Sequence, residues 1–227
     1  MDFRGEIASA LAWWADAGVD MLVDETPRDW LAKTEAPRPV PSTDKRSDEL
    51  PATIDAFVAW RLADGTLHDP GSPRVPPIGD AASDLAIIVD RPEQGERALL
   101  EGSAGTLFDR MLAAIGRDRT VIYAMPLMHA WSAAPPSAEN LGRLSDLAMH
   151  HLSLSGARKV LIMGDAASRA MLGMGTAEAR GHLHFINHKG GTVTAVASYH
   201  PRFLLERPVT KRGAWADLQL LMGGGHK

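Results

Sequence analysis

The sequence predicts an α/β protein built as a three-layer α/β/α sandwich, and three observations carry that expectation. Four short runs rich in apolar and β-branched residues, 85–89 (LAIIV), 120–125 (TVIYAM), 159–163 (KVLIM) and 192–198 (TVTAVAS), are bounded by Gly, Asp or Pro, as buried strands of a parallel sheet are. Helical patterns lie between them, so strand and helix alternate along the chain. With 227 residues and 45% hydrophobic content, the chain is long and apolar enough to bury a substantial core.

The elements follow in order. Pro37, Pro39, Pro41, Pro51, Pro70, Pro73, Pro76 and Pro77 crowd the region before the first strand, with only residues 51–63 reading as a helix between them. Such segments cannot form regular elements and are expected to wrap the sheet. Residues 1–84 are thus expected to be N-terminal helices and Pro-rich wrapping segments of the same domain as 85–222, followed by a tail at 223–227. After the first strand, Leu107, Phe108, Met111, Leu112 and Ile115 form an apolar stripe at helical spacing. After the second, Pro135 and Pro136 lead to Ser137, a candidate N-cap for a helix carrying Leu141, Leu144, Ala148 and Leu152. Asp165, after Gly164, is expected to cap a helix over 166–172, and Pro208 suits the first turn of the last helix.

The fourth strand runs directly into His200 and Pro201. A histidine held by a rigid proline turn at the C-terminal end of a strand stands where open α/β folds build their ligand sites. Net charge is −4 and the isoelectric point near 6.1, which does not by itself favour nucleic acid. Between 200 and 212, however, Arg202, Arg207, Lys211 and Arg212 oppose only Glu206, so this edge is basic within an acidic protein.

Other features exclude chemistries. Cysteine is absent, which removes disulfides, thiolate nucleophiles and any Cys-ligated metal or cluster. His182 and His184 are spaced as alternating residues of a strand or hairpin, no acidic partner lies near them or His188 in sequence, and no metal or other cofactor is expected. His150 and His151 sit on a predicted helix and are read as surface. Glu101 occupies the first glycine position of a nucleophile elbow, leaving Ser103 a turn residue, and Gly173 and Gly175 lack the third glycine of a dinucleotide loop. No run of 18 apolar residues and no basic-plus-apolar leader occurs, so a soluble cytoplasmic protein without membrane contact is expected.

The C-terminal segment resembles the last motif of the uracil-DNA glycosylase superfamily, especially the branch that carries an iron–sulfur cluster. There a strand enters Y-H-P, then a leucine pair, K-R and a Trp-bearing helix; here the residues are Tyr199, His200, Pro201, Leu204, Leu205, Lys211, Arg212 and Trp215. Residues 85–93 are similar to the family's first strand and its G-E-A-P-G loop, 102–116 to its G-x-A-G turn and helix, and 159–173 to its third strand. Residues 11–20 and 25–32 resemble the leader of bacterial members of the branch. The resemblance spans roughly residues 5 to 222.

It implies a four-stranded parallel sheet in the order 2-1-3-4 and hydrolysis of the N-glycosidic bond of a uracil or other deaminated base flipped out of DNA. His200 would stabilise the departing anionic base. Asp90, aligned through Pro92, would stand for the carboxylate that positions water or balances the sugar's charge. Val89 and Glu93 replace the motif's glycines, Leu100 takes the place of the phenylalanine that stacks on the base, and Met125 that of the asparagine that reads uracil. The pocket would therefore be formed by Pro92, Leu100 and Met125 with altered base selection, and Arg202, Arg207, Lys211 and Arg212 would face damaged or single-stranded DNA. A cysteine of the cluster-bearing branch falls at His129, so a cluster-free member, acting as a monomer, is implied. Two other readings stand beside it: a catalytically silent DNA-binding or protein-interaction module, and a hydrolase of free nucleosides.

Overall fold

The computed structural model describes residues 50–65 and 71–223. The chain divides after Asp48, and the described residues all belong to the second unit, Glu49–Lys227. The leader-like segments at 11–20 and 25–32 and the tail from 224 lie outside the described residues. In order, the elements are α1 (Ile54–Ala63), β1 (Ile78–Gly79), β2 (Leu85–Val89), α2 (Gly102–Ala114), β3 (Tyr123–Pro126), α3 (Ala138–Leu154) and β4 (Lys159–Met163). Then follow α4 (Asp165–Leu172), α5 (Thr176–Ala179), β5 (His184–His188), β6 (Gly191–Ser198), α6 (Pro201–Glu206), a 3-10 turn at Pro208–Thr210 and α7 (Lys211–Leu221).

The sheet has six strands in the order β1-β3-β2-β4-β6-β5. Strands β3, β2, β4 and β6 run parallel, whereas β1 and β5 lie antiparallel on the two edges. The four expected strands are the parallel set, and two antiparallel edge strands extend them to a mixed six-stranded sheet. β1 has only two residues, too short for any periodicity to register, and β5 (HFINH) carries no apolar run because it is an edge strand in which only Ile186 is buried.

Successive residues of the inner strands point to opposite faces. Ala86, Ile88, Met125, Val160 and Ile162 pack with Phe57 of α1, Leu144 and Leu152 of α3 and Ala167 of α4. Leu85, Ile87, Val89, Leu161, Met163 and Val196 pack instead with Phe108 and Leu112 of α2 and Leu218 and Leu221 of α7. All five residues of β2 are buried, which is why that strand reads as an unbroken apolar run. Among the described residues no helix is long and apolar enough to cross a membrane.

Several local expectations resolve. Ser137 caps α3, its Oγ accepting from Asn140 N–H at 3.2 Å. Pro208 opens the 3-10 turn that feeds α7 rather than α7 itself. Asp165 does not cap α4; Gly164 holds the cap position and Asp165 is the first helical residue, spending its carboxylate on Arg169 and on Thr176 N–H. His151 is buried, not surface: Tyr123 Oη lies 2.7 Å from its Nε2 and the Phe57 ring meets it edge-on. Burial holds that imidazole down at about 3, so it stays neutral within the core. Neighbouring His150 is half-buried, with its Nε2 on Pro51 O at 2.8 Å.

Candidate active site

Because β2, β4 and β6 are parallel, the residues leaving their C-terminal ends gather on one edge. Val89 pairs with Met163 and Met163 with Ser198, so Asp90, Gly164 and Tyr199 come level as the strands end, with His200 next in line. Between β2 and β4 the chain's connections depart in opposite directions, and such switch points are where open α/β sheets place their ligands.

Asp90 crosses this gap. Its Oδ1 accepts from Ala167 N–H at 2.7 Å, a free donor of the first turn of α4. Gly164 makes that approach possible, since a Cβ there would overlap the Asp90 carboxyl group, and its φ of 119° with ψ of 164° is open essentially to glycine alone. Desolvation pushes the Asp90 carboxyl up to about 6, and the nearby Asp165 adds to the rise. The N–H groups of Ala167 and Ala166 and the charge of Arg91 pull the other way.

His200 is the N-cap of α6 and only 8% exposed. Pro201 occupies the first helical position, where its missing N–H is no loss. The Nδ1 of His200 accepts from Arg202 N–H at 3.3 Å, which assigns the ring proton to Nε2. That Nε2 is buried and has no hydrogen-bond partner among the described residues. Desolvation, then Arg202 and Arg91, hold the imidazole down at about 4. The side chain is therefore a neutral, unspent donor at neutral pH.

Asp90 and His200 both line one cavity of about 310 Å³. Arg91, which follows Asp90, faces it too; Pro135, Pro136 and Leu141 form an apolar wall. The other charged lining groups are paired with each other. Arg202 Nε lies 2.8 Å from Glu93 Oε1, and Arg169 Nε lies 2.7 Å from Asp165 Oδ2.

The remaining residues picked from the sequence lie elsewhere. Leu100 and Met125 are not among the cavity's lining residues: Leu100 is buried against Phe108 and Leu112, and Met125 on the opposite face of the sheet. Leu100 also has φ of 58°, with the loop pinned by Arg119, which donates to the carbonyls of Leu99 and Leu100 at 3.0 and 2.8 Å. Pro92 is buried beside the cavity's rim and does not line it. Arg207 is exposed with its guanidinium over the Phe203 ring, and Lys211 and Arg212 are exposed at the start of α7. Sequence reasoning missed Arg91, Arg169, Pro135 and Pro136 as cavity walls, since they come from two separate loops and from helix α4. It saw Gly164 only as a helix neighbour; a glycine directly after an apolar strand, opposite another strand's terminal carboxylate, was the available signal.

His129, aligned with a cluster cysteine, is wholly buried and its Nδ1 bonds Val75 O at 2.9 Å. Among the described residues no group of His, Asp or Glu could hold a metal ion, and the chain has no cysteine. The side chains present do not fit an iron–sulfur cluster. His184 and His188 are engaged locally, with Ala179 O and Gly190 N–H.

The chain is 24% identical to the Type-4 uracil-DNA glycosylase of Archaeoglobus fulgidus over 183 residues, covering 76% of this chain and 91% of that protein. The family model of the Uracil DNA glycosylase superfamily matches residues 76–219, from just before β1 into the last turns of α7, and the chain belongs to that superfamily.

Proposed function

We propose that this protein is a DNA repair glycosylase that hydrolyses the N-glycosidic bond of a deaminated base flipped from DNA, with Asp90 and His200 as its catalytic pair. The observation that carries the reading is the convergence, on one cavity at the sheet's switch point, of a carboxylate raised to about 6 and a neutral imidazole with a free Nε2–H. The bond from the sugar C1′ to the base nitrogen breaks with its electron pair leaving on the base, and Nε2–H of His200 stabilises the resulting anion. The ionised Asp90 balances the charge on the sugar and takes a proton from the water whose oxygen bonds to C1′; through solvent that proton returns to the released base. Arg207, Lys211 and Arg212 would meet phosphates along the basic edge.

A second reading, a silent DNA-binding module, is favoured by one feature: apart from the imidazole, no aromatic ring of the described residues lines the cavity to stack on a base, and two ion pairs occupy four of its charged groups. A single-turnover assay with enzyme in excess over DNA carrying uracil, hypoxanthine or xanthine, in single strands and mismatched duplexes, separates the two. Excision that falls on the order of 10² to 10³-fold in His200→Ala, with DNA affinity retained, establishes the glycosylase. Salt-sensitive DNA binding without excision of any base establishes the module.

A further inference from the structure

Behind the last strand lies a polar cluster for which the chemistry above has no use. Asp217 of α7 is 1% exposed, and its Oδ2 accepts three hydrogen bonds: from Ser198 Oγ at 2.9 Å, from Arg180 Nη2 at 2.9 Å and from Arg180 Nε at 3.2 Å. Arg180 follows α5, and its guanidinium reaches Asp217 over Gly213 of α7; a Cβ at 213 would overlap the guanidinium group and force it to shift. A buried carboxylate is tolerable only when paired in this way, so the two side chains fix each other.

The guanidinium does a second thing. Its Cζ lies 4.6 Å from the centroid of the Tyr199 ring, Tyr199 stacks on Phe203 at 4.8 Å, and Arg207 covers Phe203 at 5.3 Å. The two rings face one another and a cation lies over each, an arrangement that braces the chain on both sides of His200. Ser198 is held at both ends as well. Its hydroxyl is on Asp217, and its carbonyl accepts from Gly164 N–H at 3.2 Å, the residue against which the Asp90 carboxyl rests.

We infer that Arg180 is a positioning residue for the proposed hydrolysis, which through Asp217, Ser198 and Tyr199 holds the end of β6 so that His200 and the Gly164 seat of Asp90 keep their mutual geometry. Arg180 does not line the cavity and touches neither reacting group. Its effect is on alignment, and a small misplacement of reacting groups costs on the order of 10² in rate. The inference rests on the reading of Asp90 and His200 as the catalytic pair.

The test uses the full chain with Arg180→Met combined with Asp217→Asn, so that no unpaired charge is left buried, and Ser198→Ala, which removes only the hydroxyl link. Three quantities are read: the melting temperature, the His200 tautomer from imidazole nitrogen shifts (assigned by comparison with His200→Gln), and single-turnover excision beside DNA affinity. The double variant should remain folded, lose Nε2–H as the dominant tautomer, and excise about 10²-fold more slowly with DNA affinity within about twofold; Ser198→Ala should move in the same direction by less. Added guanidinium ion should restore part of the rate to Arg180→Gly, and Arg180→Lys should not, since an ammonium can neither fork onto Oδ2 nor stack on the ring. An unchanged tautomer and rate in the folded double variant overturns the inference, and should that variant fail to fold, the same result in Ser198→Ala overturns it. If the wild-type protein excises no base, the proposed function falls, and the tautomer alone then decides whether Arg180 positions His200.

Discussion

Asp90 caps a helix that it does not belong to: its Oδ1 accepts from Ala167 N–H at 2.7 Å, so a carboxylate from the end of β2 satisfies a donor at the start of α4. A helix N-terminus favours a negative charge by about 0.3–1 kcal/mol, up to about 2 in partly buried sites. The carboxyl nonetheless stands at about 6 rather than 3.8. That net rise corresponds to about 3 kcal/mol against ionisation, so the cost of desolvation outweighs the helix that receives the charge. The protein holds at this edge a carboxylate that it destabilises.

The first prediction concerns stability. The folded-state value of Asp90 lies above the unfolded one, so the folded protein keeps a proton that the unfolded chain has lost; the associated stability is full below about 3.8 and is lost as pH rises through about 6. Asp90→Asn keeps an oxygen for Ala167 N–H but carries no charge. It should melt higher than wild type at pH 8, by up to about 3 kcal/mol in stability, with the difference gone near pH 4. Thermal denaturation at both pH values measures this, and an equal or lower melting temperature at pH 8 would contradict the assigned burial cost.

The second prediction is kinetic. Asp90 must be ionised and His200 neutral for the proposed chemistry, and these conditions are met above about 6 and about 4 respectively. The single-turnover excision rate should therefore rise with pH along one limb centred near 6 and show no second limb from the histidine above pH 5. A limb centred near 4 would make His200 rather than Asp90 the titrating group. The same profile in Asp90→Asn should be flat and low.

The third prediction isolates Gly164. Gly164→Ala sets a methyl group against the Asp90 carboxyl and forces a backbone conformation that costs a non-glycine residue about 1–3 kcal/mol. The variant should melt lower by that amount and lose on the order of 10² in excision rate while binding DNA as wild type does. A normal rate would mean that Asp90 can work without its seat on the helix.

What the sequence makes legible follows from how each feature is encoded. The inner strands β2 and β4 are buried and read as nearly unbroken apolar runs; Asp90 is found because it is the polar residue that ends the β2 run, and His200 because a proline turn fixes it just beyond β6. The edge strands β1 and β5 escape because one is two residues long and the other buries only Ile186. Leu100 and Met125 take their expected places only from the resemblance; in the fold Leu100, itself at φ of 58°, turns into the core, and Met125 lies on the opposite face of the sheet. His151 reads as a surface histidine because its partner, Tyr123, is 28 residues away on a strand that helix periodicity cannot see. The cavity's walls are unreadable for the same reason: Arg91, Pro135 and Arg169 meet only through the tertiary fold.

The fourth prediction turns on Arg202, which the sequence offers to DNA and the structure pairs with Glu93 at 2.8 Å and, more distantly, with Glu206 at 3.7 Å. The Arg202 side chain is 53% exposed, and an ion pair in that setting contributes about 0–1 kcal/mol, so releasing it should hardly alter the melting temperature. Glu93→Gln removes one negative charge from the cavity rim and leaves the guanidinium available for a phosphate. DNA affinity at low salt should rise, and the slope of log affinity against log salt should steepen by about 0.9, the signature of one added phosphate contact. Arg202→Ala in the Glu93→Gln background should return the slope to the wild-type value. Fluorescence anisotropy with a short labelled duplex across a salt series measures both, and an unchanged slope in Glu93→Gln would show that bound DNA does not reach Arg202, leaving phosphate contact to Arg207, Lys211 and Arg212 farther along the edge.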